Sequence, residues 1–245
     1  MMTSCTVTNY YQVVTTKPEN GRISKDKIIF EDSNCYVNYN FWNEGGRVKF
    51  SIFNKTQNDI VINLKKTFFV LNGVAYEYYQ NRILSQSINN GTAITSNYLP
   101  SIWNKNTSQV TGINTSNLST TYVEKSELSI PPNTLINVAE YNLRKVEYQY
   151  CDLIHYPSKN KVQKITFDKS TSPDVFYNLI TYSIKNETFR IENRFYVSEV
   201  TNIPESLMLE NVYKSDCGEK LIFPKSVFRN TSPDNFYIKY SQQKK

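Results

Sequence analysis

Chemistry-bearing residues are thin in this sequence. There are seven glycines and one histidine in 245 residues, too few for a Gly-rich phosphate loop or a His-based metal centre. No HExxH, GxSxG or EF-hand pattern occurs. The four cysteines, Cys5, Cys35, Cys151 and Cys217, show no CxxC pairing, which argues against a zinc knuckle, a redox motif and a dense disulfide framework. With Cys5 set apart, the other three would allow one bridge. No apolar run approaches the roughly 20 residues of a membrane-spanning helix. Arginine-rich stripes are also missing. The net charge of +6 comes from lysines scattered among acids, a solvated surface rather than a nucleic-acid footprint.

What the chain has in excess is aromatic residues, 14% of the total, including 19 Tyr and 13 Phe. With Val, Ile and Thr these favour a pleated, half-buried surface. Strand-length segments follow one another: "YYQVVTT" (10–16), "CYVNYNF" (35–41), "RVKFSIF" (47–53), "DIVINL" (59–64), "TFFVLN" (67–72) and "VAYEYY" (74–79). Val48, Phe50 and Ile52 share one face of a strand, as do Ile60, Ile62 and Leu64 of the next. Asn72-Gly73 is a type I′ hairpin signal. "ELSIPPNTLINVAEYNL" continues the pattern, with Pro131-Pro132 between strands.

The expected fold is all-β: a mainly antiparallel, immunoglobulin-like β-sandwich with a long insertion and a few short helical turns. Residues 1–9 read as a tether or the end of a lipoprotein signal, and 10–245 as a single domain. A Ser/Thr/Asn-rich insertion covers about 80–122, and a C-terminal extension starts at about 160. Thr171-Ser172-Pro173-Asp174-Val175-Phe176-Tyr177 recurs as Thr231-Ser232-Pro233-Asp234-Asn235-Phe236-Tyr237. Ser as N-cap and Pro at the first helical position predict a helical turn that tucks the aromatic inward.

No catalytic constellation emerges. Cys151 and His155 would lie roughly 13 Å apart on a strand, too far for the contact a nucleophile pair needs. No catalytic residue, cofactor or metal is therefore expected. Trp42 and Trp103 are the candidates for stacking a ligand, since such rings offer a broad surface with a polar handle. Core packing uses the same residues.

Met2-Thr3-Ser4-Cys5 matches the end of a bacterial lipoprotein signal, with Cys5 as the lipidation candidate. The apolar leader such a signal requires would have to lie upstream. "SCTVTNYYQVV", "IIFEDSNCYVNYNFWNEGG", "FNKTQNDIVINLKKTFFVLNGVAYEYYQNR", "SIPPNT", "CDLIHYPSKNK" and "RFYVSEVTNIPE" together resemble a family of uncharacterised Bacteroidota proteins. Many of those look like lipoproteins whose signal ends at the equivalent of Cys5. The resemblance implies an envelope lipoprotein and carries no assigned activity. With no reactive centre in the sequence, the expected function is a non-enzymatic envelope lipoprotein, or interaction module, that binds a protein or glycan partner. Contact with the membrane would run only through a lipid on Cys5. The alternative is a structural component of a larger, phage-derived assembly, cytoplasmic if no leader precedes Cys5.

Overall fold

The computed structural model describes residues 6–88, 118–214 and 217–244. Cys5 and Trp103 lie outside them. The described residues form an all-β body of two antiparallel sheets over one core. The larger sheet holds nine strands. They are β1 (Thr6–Pro18), β6 (Ile60–Asn63), β7 (Phe68–Leu71), β8 (Val74–Glu77), β11 (Glu127–Ile130), β13 (Lys164–Thr166), β14 (Val175–Ile184), β15 (Glu187–Pro204) and β18 (Asn235–Lys244). The smaller holds β2 (Arg22–Ile23), β3 (Ile28–Glu31), β4 (Cys35–Tyr39), β5 (Arg47–Asn54) and β12 (Leu135–Asn142). Two further ribbons are two-stranded: β9 (Ile83–Ile88) with β10 (Leu118–Val123), and β16 (Leu209–Lys214) with β17 (Lys220–Phe228). This strand count exceeds the seven to nine of immunoglobulin domains. The two sheets give the fold an all-β, sandwich-like character.

Two-residue periodicity accounts for the sheets. Val48, Phe50, Ile52, Ile60 and Ile62 are fully buried and Leu64 nearly so, each burial contributing about 1.5–3 kcal/mol. Rings lock the two layers together. Phe195 of β15 meets Phe30, Tyr39 and Phe41 of the opposite layer at 5.2, 5.1 and 5.0 Å between centroids. Asn72 and Gly73 take φ of 49° and 82°, the left-handed pair of the hairpin turn.

Both ends of the described chain meet in the large sheet, where Thr6 pairs with Lys244. Residues 6–9, read as a tether, are thus the start of β1, bonded to residues 241–244. The recurring Thr-Ser-Pro-Asp segments also differ from expectation. Neither is helical; each runs directly into a strand, β14 or β18. The carbonyl of Asp174 accepts from the Val197 N–H at 2.9 Å, and that of Asp234 accepts from the Thr16 N–H at 2.8 Å. Thr16 and Val197 are themselves cross-strand partners, so the two copies flank one point of the sheet on opposite sides. A strand neighbour offering an N–H overrides the local capping preference. Phe176 and Phe236 do turn inward, at 1% and 0% exposure. The three described cysteines, Cys35, Cys151 and Cys217, are free thiols, so the permitted bridge does not form among them.

The core also encloses polar groups. Tyr78 Oη donates to Asn178 Oδ1 at 2.8 Å, and Tyr39 Oη accepts from Asn178 Nδ2 at 3.2 Å and Asn193 Nδ2 at 2.8 Å. Burial pushes the phenols of Tyr39, Tyr78 and Tyr182 far up, and that of Tyr141 up to about 12. The folded chain keeps these protons where the unfolded chain loses them near the ordinary value of about 10. The resulting stability is fully present below pH ~10 and falls as pH rises towards the folded values. Urea midpoints measured from neutral to alkaline pH should hold steady and then drop beyond pH ~10. A flat profile there would contradict the buried phenols.

Candidate interaction site

After β15 the chain makes one helical turn, α1 (Glu205–Met208), with Met208 buried and Pro204 at its N-cap. It then leaves the body as the β16–β17 ribbon. Its root is clamped. Leu209 pairs with Phe228, the Arg229 N–H donates to the Met208 carbonyl at 3.1 Å, and Arg229 Nε donates to the Leu209 carbonyl at 3.1 Å. Phe228 packs edge-on against Trp42 at 5.2 Å and beside Tyr237 at 4.8 Å and Tyr11 at 6.0 Å. Trp42 is half-buried in this cluster. It packs against the root of the ribbon.

Beyond the root the ribbon is irregular. Val212 pairs with Lys225 and Lys214 with Lys220, so Leu221, Ile222, Phe223 and Pro224 stand opposite the single residue Tyr213. Four residues against one cannot keep a pleat, and the surplus bulges outward. Ile222 and Phe223 are 91% and 82% exposed, and Tyr213 57%. Burying Ile222 and Phe223 would be worth about 1.5–3 kcal/mol each, a gain that this fold leaves unrealised. Clustered exposed apolar groups mark interaction surfaces.

A cavity of about 270 Å³ is lined by Tyr148, Gln149, Tyr150, Cys151, Leu153, His155 and Asn202. Gln12 holds its lid down. Its Nε2 donates to the Tyr148 carbonyl and to Asn202 Oδ1, both at 2.9 Å, and its Oε1 accepts from the Tyr148 N–H at 2.6 Å. Asn202 Nδ2 donates to the Ile154 carbonyl at 3.0 Å. Every polar atom of this buried amide pair is thereby used inside the protein. The volume is also just below that of ordinary ligand pockets. Cys151 and His155 sit in irregular turns rather than on a strand, and no hydrogen bond joins them among the described residues. His155 instead stacks on Tyr156 at 4.2 Å and on Tyr240 at 5.0 Å. Gln12→Leu should release the lid, raising amide exchange across residues 148–155 at least ~tenfold, a loss of about 1.4 kcal/mol of local protection. Unchanged exchange there would show that packing, not the clamp, holds it.

Among the described residues no cluster of His, Cys, Asp or Glu could hold a metal ion, and no helix is long and apolar enough to cross a membrane. The exposed "LIFPK" run escapes a sequence reading because three consecutive apolar residues look like a buried strand. The hint was the lysine on either side. No family model, no curated protein and no solved structure matches this chain.

Proposed function

We propose that the protein is a non-enzymatic interaction module that grips a protein partner with its β16–β17 arm. The observation that carries this reading is the nearly complete exposure of Ile222 and Phe223 on a ribbon whose root is rigidly braced. The arrangement favours a protein over a glycan, since Trp42 spends its ring on Phe228 and Tyr237. The resemblance to Bacteroidota lipoproteins adds the cell envelope as the site of action, with a lipid on Cys5. The next residue, Thr6, opens β1 opposite Lys244, so such an anchor would hang from the β1–β18 edge of the large sheet. The second reading, a subunit of a larger assembly, uses the same arm as an inter-subunit grip and predicts concentration-dependent association of the purified chain.

A photo-crosslinking residue placed at Phe223 in the source cells tests the arm. A discrete protein adduct is expected from position 223 and none from Lys49, which is exposed on the smaller sheet. The paired change Ile222→Ser and Phe223→Ser should leave unfolding free energy within about 0.5 kcal/mol while abolishing partner retention. Retention by that variant would refute the proposal.

A further inference from the structure

We infer that the cavity lined by Tyr148 and Tyr150 binds one uncharged sugar ring, with the ring of Tyr150 as its stacking platform. This function is separate from the arm. Gln12 bonds the cavity wall at Tyr148, whereas Tyr11, its neighbour on β1, packs on Phe228 at the arm's root. Alternation along the strand therefore sets the two sites on opposite faces of the large sheet. The lining decides the class of guest. None of its residues is Asp, Glu, Lys or Arg, so a phosphate, carboxylate or ammonium group would find no full opposite charge there. His155 is turned to Glu147, 3.5 Å from its Nε2, and to the rings of Tyr156 and Tyr240.

Aromatic surface is what the cavity offers. Tyr148 and Tyr150 stack at 6.0 Å between centroids, and Phe167 meets them edge-on at 6.1 and 6.3 Å. Tyr148 is committed to the protein, with the Arg144 guanidinium over its ring at 5.0 Å and both its backbone polar groups bonded to Gln12. Tyr150 keeps 42% exposure. Its ring presents a flat apolar face beside a hydroxyl, which matches the C–H face and the hydroxyl rim of a pyranose. Next to it, the exposed Gln149 carboxamide has no hydrogen-bond partner among the described residues, leaving a donor and an acceptor for ring hydroxyls. Size and openness point the same way. About 270 Å³ suits a single ring rather than a drug-sized molecule. Gln149, Tyr150 and Cys151 are exposed, so one side of the guest stays in water, where hydroxyls are solvated and a wholly apolar ring gains less. Since Gln12 fixes the wall in advance, binding demands little further ordering.

The chain carries its own reporter and reference: Cys151 is an exposed thiol on the cavity lining, and Cys217 an exposed thiol between β16 and β17. The full chain is alkylated with iodoacetamide in the presence of glucose, galactose, mannose or N-acetylglucosamine, and the two cysteines are followed by peptide mass spectrometry. Sorbitol serves as the open-chain control and phenol as an aromatic competitor. At about ten times its dissociation constant, at least one sugar should slow alkylation of Cys151 about tenfold and leave Cys217 unchanged. Sorbitol should have no effect. Tyr150→Ala, at an exposed position, should abolish the protection without altering thermal unfolding. The inference is overturned when none of these sugars protects Cys151, or when Cys217 or the sorbitol sample is slowed equally. Protection that survives in Tyr150→Ala removes the platform and overturns it too. Protection by phenol alone replaces the sugar with an aromatic guest, again against the inference. The arm is judged by the crosslink at position 223, which none of these outcomes touches.

Discussion

Asn178→Leu is expected to destabilise the protein by about 3 kcal/mol, read as a lower urea midpoint with an unchanged slope. The reason lies in what it strands. Asn178, Tyr39, Tyr78 and Asn193 are all between 1% and 3% exposed. Removing the carboxamide leaves Tyr78 Oη without its acceptor and takes from Tyr39 Oη one of two donors. An unpaired buried polar group costs about 1–3 kcal/mol, whereas removing both members of a pair costs much less. Combining Asn178→Leu with Tyr78→Phe should therefore restore part of the loss, giving a double variant less damaged than the two single effects summed. Strict additivity would mean that the hydroxyl and the carboxamide do not depend on each other.

Gly46→Ala should cost about 2–4 kcal/mol, and the effect should reach well beyond its own loop. Gly46 has φ of 66°, where a side chain is strained. A Cβ there would stand 2.7 Å from Cγ of Phe236 and 2.9 and 3.0 Å from its two Cδ atoms. Phe236 is fully buried and cannot retreat. The same loop bonds both neighbours: the Gly45 N–H donates to the Tyr237 carbonyl at 2.8 Å, and the Gly46 carbonyl accepts from the Leu143 N–H at 3.0 Å. Strain at Gly46 should thus loosen the bonds that this loop makes to β18 and to the segment beginning at Leu143. Gly73→Ala is the control. Its φ of 82° is as unfavourable, but nothing lies within 4 Å of the added carbon, so about 1 kcal/mol is expected. Equal losses at the two glycines would rule out the Phe236 clash as the cause.

These two predictions separate what was legible in the residues from what was not. The alternation of Val48, Phe50 and Ile52, the turn at Asn72-Gly73 and the break at Pro131-Pro132 are local patterns. All three stand in the structure where the sequence reading puts them. Local information also misled. The Ser-Pro-Asp segments carry helix-start chemistry, yet neither goes on into a helix: strand N–H groups across the sheet bond the Asp174 and Asp234 carbonyls, and only Ser232 to Asn235 keeps a hydrogen-bonded turn. The short strands β2 and β3 are too brief for a period to show in the sequence.

The site was hidden for a related reason. Whether "LIFPK" is core or surface depends on what lies opposite it, and a single tyrosine lies there. Trp42 has Phe228, nearly 190 residues away, set edge-on against it, a neighbour that no local pattern names. Composition and periodicity dictated that this chain builds sheets, because side-chain alternation is a property of neighbours along the backbone. Which residues stay uncovered is a property of register between distant strands, and that was decided by folding.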